Sequence, residues 1–210
     1  MVIVKQYSSK YKNQFFEAVR ENSILVLFSL LLICGMIFGA FFARNASFGI
    51  LDKLDFLFYS NFKTRASQPI ISIFSASFAS SFIFIFVCFL CGLSMWGMFI
   101  IPVVLFFRGF GLGLTSGYLY AAYKFMGVLF NLVVILPGAF LCCIAITLSA
   151  QEGSRFSRII ASSTTMRKGT ISRSKIKTYL LRFGVYLMIA FLAALLDVFF
   201  SACFAGLFSL

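Results

Sequence analysis

The chain has 210 residues, 61% of them hydrophobic and only 11% charged, with a net charge of +12. A soluble domain carries about 25% charged residues, so this much apolar surface has no place in one water-soluble core. Nor does the cation excess mark a nucleic-acid binder. Lys and Arg fall between long apolar runs, the pattern that membrane topology and anionic lipid headgroups produce.

Met1 to Asn22 is a polar lead with Lys5, Lys10, Lys12 and Arg20. In it Phe15, Phe16 and Val19 share a helical face, which predicts a short helix lying on the membrane surface. Ser23 to Ala43 then runs for 21 residues without charge, enough to cross a hydrocarbon core about 30 Å thick. A cleaved leader has a shorter apolar stretch of about 7–15 residues, so this first span is expected to be retained. Arg44 to Gln68 is a polar connection whose apolar positions 50, 51, 54, 57 and 58 predict a second interfacial amphipathic helix.

Pro69 to Phe107 is uncharged for 39 residues, which suits two spans with a turn near Gly92. The second span is placed at 70–91 and the third begins at 93. Arg108 interrupts it, and 15 uncharged residues, Gly109 to Tyr123, precede Lys124. Phe125 to Ala150, uncharged and containing Pro137, forms the next span. Gln151 to Arg182 holds eight Lys or Arg against one Glu, and its many Ser and Thr predict mobility between contacts with the lipid surface. Phe183 to Phe204 is the last span and contains Asp197.

Arg108 decides the count. As a loop residue it would leave two spans of 15 residues, too short to cross a bilayer easily. Inside the membrane it makes 93–123 one long, tilted or broken span. The second choice puts the N-terminus and 151–182 on one side with twelve Lys or Arg, against five on the other. The positive-inside rule then favours five spans, a cytoplasmic N-terminus and basic segment, and an extracytoplasmic C-terminus. The expected fold is an all-α polytopic membrane protein, a single integral domain over 1–210.

A cation at mid-membrane costs about 2.5–3.5 kcal/mol on insertion scales and is usually paired. Asp197 is the sole acid in any span, so an intramembrane Arg108–Asp197 pair is expected, either structural or lining a cavity for an anion. Gly35 and Gly39, and Gly109, Gly113 and Gly117, recur at i and i+4, a spacing that lets helix backbones approach closely in lipid. All six cysteines lie in apolar segments and there is no histidine, so they read as small hydrophobes; no metal or cofactor is expected. No hydrolase, metalloprotease or phosphate-loop motif is present. The expectation is therefore a protein that is not an enzyme.

Several stretches together resemble the stage II sporulation protein M family. They are the lead YKNQFFEAVREN, the first span ending CGMIFGAFF, PVVLFFRGFGLGLTSGYL from Pro102 to Leu119, GVLFNLVVILPGAF from Gly127 to Phe140, and AALLD from Ala193 to Asp197. Members have a similar Pro–apolar–Lys/Arg–Gly run, a Leu-Pro pair in the following span and an acid in the last. This chain departs in having Arg108 where Lys is usual, Gly138 where a larger polar residue is usual, and Asp197 where Glu is usual. The resemblance implies a non-enzymatic membrane component of a complex with stage II sporulation proteins D and P. Those partners are cell-wall hydrolases that act at the septal membrane during engulfment. The competing reading is a permease-like subunit powered by a separate ATPase; one broken span, 93–123, favours it, while the lack of a clear internal repeat does not.

Overall fold

The computed structural model describes residues 23–45, 70–165 and 173–204. Both expected interfacial helices, near 11–20 and 50–58, lie outside the described residues. Five helices make up most of the described residues: α1 (Ser23–Asn45), α2 (Ile70–Gly92), α3 (Gly97–Phe130), α4 (Leu136–Thr165) and α5 (Arg173–Phe204), with a π-helical turn, Asn131–Ile135, before α4. Among the described residues there is no strand, as lipid requires: with no water to bond a free peptide group, helices satisfy the backbone within one segment. Among the described residues, five stretches are long and apolar enough to cross a membrane. Their outer faces are apolar too; Ile37, Phe38 and Phe41 are each 64% exposed, which fits a hydrocarbon solvent.

Successive helices alternate in direction. Ser81 meets Cys142 and Gly153 packs on Cys88, so α2 and α4 run parallel. Gly138 meets Asp197 and Phe156 stacks on Tyr179, so α4 and α5 run antiparallel. Helix α1 packs chiefly on α3 and parallel to it. The remaining core joins α2, α4 and α5 through Ile85, Cys88, Ala145, Ile146, Phe183 and Ala190.

Two breaks set the third and fourth passes. Residues 93–96 form the turn before α3, so the third pass is helical from Gly97, through Arg108, up to the break at Lys124 (φ 51°, ψ −128°). There the chain reverses, and the Asn131 amide donates to Ser116 Oγ at 2.9 Å across the hairpin. The π-turn has a covalent cause. Pro137 has no N–H and its ring crowds the carbonyl four residues back; the ladder widens by one residue, and the Leu136 N–H bonds to the Asn131 carbonyl instead.

The basic stretch 151–182 differs from its reading as a mobile connection. Wherever it is described it is helix, because α4 continues to Thr165 and α5 starts at Arg173. Residues 166–172 lie outside the described residues. Lys and Arg are good helix formers, and a membrane boundary removes no backbone hydrogen bond. The two extensions pack on the α2–α3 turn. Tyr179 lies between the rings of Phe156 (4.2 Å between centroids) and Phe89 (5.4 Å). Ser157 donates to the Ser94 carbonyl at 2.7 Å, holding a turn whose own helix has ended. Arg182 pairs with Glu152 at 2.6 Å on the rim.

Candidate functional site

Glycine permits the closest helix approach in the bundle. A Cβ on Gly35 would run into the Phe106 carbonyl and lie 2.9 Å from Phe110 N; one on Gly39 would run into the Phe110 carbonyl. From the other side, Gly109 faces the Leu32 carbonyl, Gly113 the Met36 carbonyl and Gly117 the Ala40 carbonyl. All five glycines therefore line one α1–α3 crossing. In lipid such a seam is held by dispersion and by Cα–H···O contacts, since no water is released. Phe38 on Phe106 and Phe42 on Phe110, at 6.1 and 5.9 Å between centroids, flank it.

Behind this seam lies a polar cavity of about 250 Å³, bounded by α2, α3, the π-turn, α4 and α5. Its walls carry Ser77, Ser80 and Ser81 from α2, Arg108 and Thr115 from α3, Cys142 from α4 and Asp197 from α5. The structure thus brings Arg108 and Asp197 to one chamber. Arg108 Nη1 donates to Ser80 Oγ at 3.0 Å and Nη2 to Cys142 Sγ at 3.2 Å. Its Cζ stands 5.2 Å from the Phe84 ring centroid, and such a cation–π contact gains strength where water is absent. Nε is buried and has no hydrogen-bond partner. Three neutral groups thus contact the guanidinium in the chamber that also holds Asp197.

Asp197 is 7% exposed. It sits against Gly138, where a Cβ would lie 3.0 Å from Asp197 Cβ and 3.1 Å from Oδ1. A residue with a side chain there would push α5 away, so Gly138 sets how deep the carboxyl enters. Pro137 adjoins this contact, and Ile135 of the π-turn together with Ala139 completes the wall.

Sequence reasoning did not single out Ser80, Ser81, Phe84 or Cys142. A single serine in an apolar run carries no signature, and Cys142 read as a small hydrophobe. Its thiol in fact meets both Arg108 and Ser81, the latter at 2.9 Å. A signal was available: Ser77, Ser80 and Ser81 recur at i, i+3 and i+4, a polar stripe on one face of α2. Among the described residues no group of three His, Cys, Asp or Glu side chains gathers as metal ligands would.

A larger apolar groove of about 370 Å³ lies between α1, α3 and α4 and shares Leu112, Thr115, Ile135 and Ala139 with the polar cavity.

The chain matches the family model described as Stage II sporulation protein M over residues 26–202. No curated protein and no solved structure matches it.

Proposed function

We propose a function from one premise: this chain belongs to the Stage II sporulation protein M family. Its role is that of a non-enzymatic membrane scaffold in an engulfment complex, anchoring peptidoglycan hydrolases at the septal membrane of the sporulating cell. The partners are membrane-associated wall hydrolases, the stage II sporulation proteins D and P. The observation that carries this reading is the family match, which spans all five membrane-crossing helices. A multi-pass body of this kind supplies what a scaffold needs, a fixed position in the bilayer and faces on both sides. In this reading the N-terminus is cytoplasmic, and Arg155, Arg158, Arg173, Lys175 and Lys177 stand at the anionic leaflet, where each cation near the surface contributes about 1 kcal/mol.

The test is affinity purification of the tagged chain from sporulating cells, followed by identification of what comes with it. Wall hydrolases should co-purify and should lose septal enrichment when the chain is deleted. Hydrolases that stay at the septum without it, and do not co-purify, defeat the scaffold reading.

The polar cavity at mid-membrane favours a second reading, the permease-like subunit. An ATPase co-purifying in place of hydrolases would select it.

A further inference from the structure

We propose that the cavity between α2, α3, α4 and α5 binds a small zwitterion, whose carboxylate sits at Arg108 and Ser80 and whose ammonium faces Asp197. This goes beyond the scaffold reading and does not depend on it.

Four observations lead there. First, one chamber holds a cation and an acid from different helices. At low dielectric a lone anion would be repelled by the carboxylate, and a lone cation by the guanidinium. A ligand with both charges and no net charge meets each wall favourably.

Second, the spacing fits. Arg108 reaches α4 at Cys142, whereas Asp197 packs on α4 at Gly138. Four residues of helix separate the two levels by about 6 Å. An ammonium and a carboxylate on one carbon, each with a charge-assisted hydrogen bond of about 2.8 Å, bridge a gap of that order.

Third, Arg108 keeps donor capacity. Its guanidinium carries five N–H groups; Ser80 takes one from Nη1 and Cys142 one from Nη2, which leaves each terminal nitrogen a second N–H for a carboxylate.

Fourth, about 250 Å³ holds a ligand the size of glycine or alanine together with water, which fills about 30 Å³ per molecule. Ser77 and Thr115 supply further hydroxyls along the wall.

The test uses the full chain in lipid nanodiscs and compares glycine and L-alanine with acetate and methylammonium, by calorimetry and by thermal unfolding. Glycine and L-alanine should bind saturably and raise the unfolding midpoint, while each single-charge probe binds at least tenfold more weakly. Ser80→Ala, which removes a hydroxyl and no charge, should weaken glycine severalfold. Arg108→Lys keeps the charge, loses the fork and should weaken it tenfold. Acetate binding as tightly as glycine would overturn the zwitterion and leave a plain anion site. Absence of saturable binding by both amino acids in the wild-type protein would overturn the site itself.

Discussion

The Tyr179 hydroxyl on α5 donates a 2.9 Å hydrogen bond to the Phe89 carbonyl on α2, 90 residues away in the chain. That carbonyl lies in the last turn of α2, where its backbone donor, the Leu93 N–H, is at 3.3 Å and leaves room for a second. The same ring fills the space between Phe156 and Phe89, so one side chain ties α2, α4 and α5 together at their common end.

Tyr179→Phe keeps the stacking and loses one hydrogen bond, while the Leu93 N–H still reaches the Phe89 carbonyl at 3.3 Å. A loss of about 1 kcal/mol is expected. Tyr179→Ala empties the space between the rings and should cost about 3–5 kcal/mol. Thermal unfolding in detergent separates the two; equal effects would mean that the ring contributes nothing.

The glycine seam makes a prediction with an internal control. Gly113→Leu places a side chain against the Met36 backbone and should sharply reduce the folded protein. Gly111, two residues away on the same helix, has nothing within 4 Å of its Cβ direction. Gly111→Ala should be neutral or stabilising by up to about 1 kcal/mol, the helix-propensity difference. Accumulation and unfolding midpoint read both, and equal damage from the two would refute a role for the crossing.

Lys124 has a positive φ of 51°, which non-glycine residues rarely adopt. Lys124→Gly should therefore preserve the α3–α4 hairpin and stabilise it by about 1 kcal/mol. A fall in the unfolding midpoint would show that the lysine side chain contributes more than its backbone strain takes away.

Across the polar cavity, Arg108→Ala and Asp197→Ala should each reduce accumulation of folded protein. We expect the double substitution to be milder than the sum, with a coupling of at least about 0.5 kcal/mol, because each charge is less well compensated once the other is gone. Strict additivity would mean that Ser80, Cys142 and Phe84 accommodate Arg108 without the acid.

Orientation can be read from Ser162, an exposed position near the end of α4. With native cysteines removed, Ser162→Cys should resist an impermeant thiol reagent in intact protoplasts and react after lysis. Labelling of intact protoplasts would invert the proposed topology.

The bundle was legible in the sequence because lipid imposes a strict rule on length and charge. Even the ambiguity at Arg108 yielded to charge counting, and α3 does run through that position. The ends of α4 and α5 were not legible. Arg155, Arg158, Lys175 and Lys177 signal water, but they do not signal the end of a helix, and both helices continue through them. The surroundings of Arg108 were hidden for a different reason. Charge matching pointed only to the one acid in a span, whereas the serine, thiol and ring that contact the guanidinium are neutral and carry no such mark. Pro137 was visible as a break, yet which carbonyl would shift its bond depends on the neighbouring helices.

The parallel seam between α1 and α3 has a consequence for biogenesis. As the chain leaves the ribosome, α1 enters the bilayer first, and its principal partner emerges only after the 46–69 connection and the whole of α2. Until then the first helix must stay in lipid unaccompanied. It carries no charge between Ser23 and Ala43 and is the most apolar of the five candidate spans, so it can wait. Arg108, by contrast, sits in a helix that inserts when Ser80 and Phe84 are already in place to receive it.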